Sequence, residues 1–211
     1  MRGLALMIGL APIGLIMTMG AEAQEQVMGV VSDGDISVSV MWETADSGVV
    51  GHYRVSNGGV AAVYVFDRLY RTTVTGFRTV DPDYAWHWLE GDGVFRVAKF
   101  VPQVPSGEKV ESPEVAYARV LAAGGVLEGR VLLAGRLDQD LPYGGAPPLA
   151  AVDKITSIVF SVGYAEVDPQ VEANAIKAGD EVVLSLPYSW LIAQQRIVSA
   201  EPFAAAVPMQ R

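Results

Sequence analysis

The chain has 211 residues, no cysteine, two histidines and a formal net charge of −9 at pH 7. Without cysteine there is no thiolate nucleophile, no Cys-ligated zinc and no disulfide, so the core must hold by burial alone. The acidic balance offers none of the basic footprint that nucleic acid or an anionic lipid surface requires, and its simplest reading is solubility.

Residues 1–23 read as a secretory signal peptide. Arg2 gives a short positive start, the uncharged run GLALMIGLAPIGLIMTM follows, and Ala21-Glu22-Ala23 supplies a small-x-small cleavage site before Gln24. A membrane anchor is the competing reading. It needs about 20 apolar residues, whereas this run is shorter and is interrupted by Pro12. A lipoprotein anchor would need a Cys. The expected location is therefore periplasmic or extracellular, with no stable membrane insertion after cleavage.

Residues 24–34 are polar and read as a leader into the domain. In 35–43, Ile36, Val38, Val40 and Trp42 alternate with Asp35, Ser37 and Ser39, the pattern of a half-buried antiparallel strand. Tyr53 and Val55 repeat it. Asn57-Gly58-Gly59 then supplies turn chemistry before VAAVYVFD (60–67), which is apolar on both faces and so predicts a covered, central strand. Together these predict a β-hairpin over 52–67.

The β-branched run 71–77 predicts a further strand, and 93–100 and 126–133 alternate as strands do. The Pro/Gly-rich stretches 101–114 and 138–151 predict long loops. In 154–167, Ile158, Phe160, Val162 and Tyr164 share one face, opposite Ser157, Ser161 and Gly163. Beyond Asp168-Pro169, 171–178 suggests a turn or two of helix, and 181–187 and 195–201 suggest strands. The segment 189–195 is open between helix and strand, and 202–211 suggests a frayed end. The fold expected is all-β: an antiparallel sandwich of seven to nine strands over 35–167, with a less regular extension over 168–211 that packs on or completes it.

The segment 51–68, GHYRVSNGGVAAVYVFDR, resembles a recurrent piece of bacterial Ig-like modules: an alternating strand, an Asn-Gly turn, and a strand ending in a charged residue. Such modules carry a Leu-x-Pro-Gly-Glu turn before a later strand. Here 121–133 holds Ala123-Gly124-Gly125 at that place, a departure from the pattern. The resemblance spans about 35–165 and implies an Ig-like sandwich, with almost nothing about function.

The richest cluster is DPDYAWHWLEGDG (81–93). Tyr84, Trp86, His87 and Trp88 are candidates for a binding surface, because flat rings give contact area at small entropic cost. Shared parity gives Tyr84, Trp86 and Trp88 a competing role as the core face of a strand. Tyr143, between Pro142 and two glycines, is the second surface candidate; cover for a sheet edge competes with it. Asp81, Asp83, Glu90 and Asp92 are nominal calcium ligands, yet their spacing matches no calcium loop. His52 and His87 have no zinc-site spacing, and there is no nucleophile elbow or phosphate-binding loop. No catalytic residue, metal or cofactor is assigned. The expected function is that of an exported, non-enzymatic module binding a protein or glycan of the cell envelope. The alternatives are an envelope hydrolase using a histidine with nearby acids, and an accessory subunit pairing through an edge strand.

Overall fold

The structure, a computed structural model, describes residues 26–27, 30–45, 48–134, 138–144 and 154–208. The expected signal peptide lies outside these residues, as do the later part of the loop 138–151 and the last three residues.

Among the described residues the fold is all-β with one short helix. Strands β1 (Gln26–Val27), β2 (Val31–Asp33), β3 (Ile36–Ala45) and β4 (Gly48–Asn57) belong to a first sheet. The chain then crosses to a second sheet for β5 (Val63–Thr72), β6 (Arg78–Asp81), β7 (Trp86–Gly91), β8 (Val94–Lys99) and β9 (Tyr117–Leu121). It returns to the first for β10 (Val126–Ala134), which completes the order β1-β3-β4-β10 with β2 also on β3. The remaining strands, β11 (Lys154–Glu166), β12 (Asn174–Ala178), β13 (Glu181–Ser185), β14 (Arg196–Ser199) and β15 (Phe203–Pro208), all join the second sheet. Its path is β12-β13-β9-β5-β11-β8-β7, with β14 and β15 on β11 and β6 on β5. Among the described residues pairing is antiparallel except between β8 and β11, which run parallel.

The two sheets share one core. Ile36, Val38, Val40, Trp42, Tyr53 and Val55 meet Val65, Phe95, Phe160, Val162 and Tyr164, and the Tyr53 and Phe160 rings stack at 4.8 Å. Burying a side chain of this size is worth about 1.5–3 kcal/mol, so the alternation read in β3, β4 and β11 sets which face turns inward. The second sheet also buries its other face. Tyr64, Phe66 and Leu69 pack there with Tyr84, Trp86, Val101, Leu186 and Leu191, under the loop 100–116 and the helix α1 (Tyr188–Gln194). That second layer is why β5 is apolar on both sides.

Several expectations are corrected. Residues 52–67 are not a hairpin, because β4 pairs with β3 and β10 while β5 pairs with β9, β6 and β11. Asn57-Gly58-Gly59 instead carries the chain between sheets. The Asn57 side chain donates to the carbonyls of Ala61, Leu121 and Ala122, and its backbone N–H to Gly125 O at 3.0 Å, so this buried residue fastens both crossings. The run 71–77 is not a separate strand; it ends β5 and turns at 73–77 into β6. The leader contributes β1 and β2 to β3, residues 174–178 are strand rather than helix, and 203–208 pair with β11 rather than fray. In each case a sheet edge supplied hydrogen-bond partners that local composition does not reveal.

Candidate functional site

The aromatic segment begins in a tight turn after β6, where the Asp83 N–H donates to Asp81 Oδ1 at 3.0 Å and the Tyr84 N–H to Asp81 O at 3.2 Å. From there parity decides. Tyr84 and Trp86 are buried in the second core, edge to face at 5.1 Å, and Trp86 Nε1 donates to Phe100 O. Trp88 is half-buried against Phe100. His87 takes the opposite side, beside Phe95, with its ring nitrogens 2.9 Å from Ala85 O and 3.3 Å from Asp138 Oδ1. Of the two readings, the core face holds for Tyr84 and Trp86: the side that carries them is the one the loop 100–116 and α1 cover. Tyr143 is also half-buried, and its hydroxyl accepts from the Glu114 N–H.

The structure nevertheless brings Tyr84, Trp86 and the neighbourhood of Tyr143 to one place. A cleft of about 370 Å³ opens between the end of β5, the start of β7, Glu114 and the loop 138–143. Tyr70, Tyr84 and Trp86 form its floor; Arg71, Glu114 and Asp140 form its polar walls. Tyr84 Oη donates to Asp140 Oδ2 at 2.8 Å, and Tyr70 Oη donates to Glu114 Oε2. Burial pushes both phenols well above their ordinary range, and the adjoining carboxylates push them further, so both remain donors at any physiological pH. Each carboxylate is thus held at one oxygen. Among the described residues neither has a basic side chain at ion-pair distance, and neither Glu114 Oε1 nor Asp140 Oδ1 accepts a hydrogen bond. The Arg71 guanidinium lies 4.1 Å from the centre of the Tyr84 ring and donates from Nε to Asp81 at 2.8 Å, while Arg78 lies 4.6 Å from the centre of Tyr70.

The structure also holds a buried ionic network that sequence reading missed. Asp67 on β5 is fully buried and accepts from Tyr53 Oη at 2.7 Å, from Arg68 at 3.0 Å and from Arg119 Nε at 3.0 Å. Arg68 in turn donates to both oxygens of Glu181. Burial pushes the Asp67 carboxyl up, but the Arg119 hydrogen bond and the charges of Arg68, Arg119 and Lys99 outweigh it and hold it low. Lys99, also buried, donates to Pro82 O at 2.6 Å and more weakly to Asp67 O at 3.4 Å; burial brings its ammonium down to about 7. In sequence, Asp67 and Arg68 look like the charged end of an apolar strand, while Lys99 shares the parity of Phe95 and Val97, so charge inside apolar runs was the available signal.

Other chemistry finds less support in the geometry. Asp81, Asp83 and Glu90 are paired with Arg71, Arg130 and Arg96, so these nominal calcium ligands are engaged by arginine. Among the described residues no group of three or more His, Asp or Glu is placed to hold a metal. His52 sits on the exposed face of β4, 3.8 Å from Glu43, and neither histidine is hydrogen-bonded to a hydroxyl among the described residues.

No protein-family model matches the chain, and no curated protein or solved structure is significantly similar to it.

Proposed function

We propose that this protein is an exported Ig-like β-sandwich module that binds a component of the cell envelope in the cleft between the β5–β6 hairpin and the loop 138–143. The leading segment 1–23 supports export, and the alternating strands packed about a common core support the sandwich. The observation that carries the binding role is the pair Glu114 and Asp140. Each is fixed by a tyrosine hydroxyl, and among the described residues each keeps one oxygen without a donor beside a buried aromatic floor. Carboxylates without a salt-bridge partner give little to stability, whereas groups held in place in advance lose little entropy when a ligand arrives.

Sedimentation with isolated cell envelopes tests this reading. The mature protein is expected to pellet with them, and the double variant Glu114→Gln, Asp140→Asn to remain soluble while melting like the parent. Equal pelleting of the two would refute the cleft as the binding site.

A further inference from the structure

The cleft carries two kinds of charge in a fixed arrangement, and this restricts what it can hold. Among the described residues, Glu114 Oε1 and Asp140 Oδ1 accept from no donor. The Arg71 guanidinium lies over the Tyr84 ring and donates from Nε to Asp81, and among the described residues its two terminal nitrogens make no hydrogen bond. Stacking on an aromatic ring and anchoring through Nε hold that plane still.

A saccharide fits this arrangement poorly. Sugars stack on open ring faces, whereas Arg71 occupies one face of Tyr84 and Arg78 one face of Tyr70, and Trp86 is buried with its indole N–H already bound. A bare metal ion fits poorly as well, since two carboxylate oxygens leave most of a hard cation's six to eight positions unfilled. An organic ammonium needs only two or three acceptors, which two fixed carboxylates supply, and a carboxylate is the group that a free pair of guanidinium nitrogens binds bidentately.

We infer that the cleft recognises a zwitterionic amino-acid or short-peptide ligand, its ammonium between Glu114 and Asp140 and its carboxylate on Arg71. This rests on the binding role proposed above and names the ligand class of the same cleft. Both ends then form charge-assisted hydrogen bonds above the floor of Tyr70, Tyr84 and Trp86. Such a ligand carries no net charge, so an acidic protein binds it without long-range attraction, and affinity depends weakly on salt.

Calorimetric titration with glycine, dialanine and trialanine, which differ in the span between their charged ends, tests the inference. At least one is expected to bind the mature protein. Acetylating its amine or amidating its carboxylate should each weaken binding by about tenfold or more, the loss expected for a charge-assisted bond. Glu114→Gln should reproduce the effect of acetylation, and Arg71→Met that of amidation. If all three probes fail, or if capped and free peptides bind alike, the inference is wrong. Envelope pelleting that still depends on Glu114 and Asp140 would then leave the cleft as a binding site with a different ligand. Preferential binding of chitobiose would assign it to a saccharide.

Discussion

Tyr84 and Asp140 are 56 positions apart, yet the phenol donates to the carboxylate at 2.8 Å and the backbone of Asp140 pairs with that of His87 in both directions. One residue of the 138–143 loop is therefore fixed twice to β7, and Asp140 faces the cleft because Tyr84 holds it there. Tyr84→Phe should leave the fold intact, since the ring still fills its place in the second core, at a cost of about 1 kcal/mol for one hydrogen bond to a partly exposed group. Ligand binding should fall further than stability does. Denaturant titration beside a binding isotherm checks this; a loss of stability with unchanged binding would argue against the positioning role of Tyr84.

Trp86→Ala should behave differently. The indole is buried between Tyr84 and the loop 100–116, and removing a buried Trp costs about 3–5 kcal/mol. Thermal melting should show a large drop and binding should fail with folding. A variant of wild-type stability would mean that the ring is not core.

Asp67 lies at the junction of Tyr53, Arg68, Arg119 and Lys99, and its replacement should be among the most damaging in the chain. Asp67→Ala strands two buried or half-buried guanidiniums, and breaking such a pair typically costs about 3–5 kcal/mol. Failure to accumulate as a folded protein, or a urea midpoint lowered by that much, is the expected result.

Lys99 gives a pH dependence whose sign is fixed. Its ammonium titrates near 7 in the folded protein against an ordinary value of 10.5, because burial disfavours the charge. Between those values the unfolded chain holds a proton that the folded chain lacks, so stability rises with pH from about 7 upward, and the full cost of the buried charge is felt below 7. The groups facing it are Asp67 and Arg68 on β5, Asp81 at the end of β6, Asp83 in the turn that follows, and the Tyr53 ring on β4. Tyr53, pushed above its ordinary value of 10.0 by burial, retains its proton when folded and reverses the trend above that pH. Denaturation from pH 6 to 10 should show the rise in the parent and its loss in Lys99→Met; equal slopes would contradict the assignment.

Gly163 on β11 makes room for a side-chain clasp. Gln195 accepts from the Val101 N–H at 2.8 Å and donates to Val101 O at 3.0 Å, and a Cβ on Gly163 would lie 2.6 Å from Gln195 Oε1. Gly163→Ala should displace the clasp and loosen the loop 100–116, at about 1–3 kcal/mol. Faster amide exchange at Val101 would register it.

The inward faces of β3, β4 and β11 were legible in the sequence, because period-two burial on one side leaves an alternating record. Long-range pairing was not. Asn57-Gly58-Gly59 has the composition of a hairpin turn, and only the carbonyls of Leu121 and Ala122, more than sixty positions away, show that it is a crossing. The candidate site was half legible. The aromatics of 81–93 were found, but their parity sent them into a second core whose cover comes from the loop 100–116 and α1. Glu114 lies in a proline-rich loop and Arg71 at a strand end, where nothing local distinguishes them from solvated charges. Their meaning comes from Tyr70 and Tyr84, which tertiary contact alone brings to them.

The cleft as the binding site is tested most directly by photo-crosslinking in cells. A photoreactive residue at Thr72, on the cleft wall, should yield a discrete envelope adduct, whereas the same residue at Ser39, on the outer side of the first sheet, should not. Adducts from Ser39 and none from Thr72 would contradict the account.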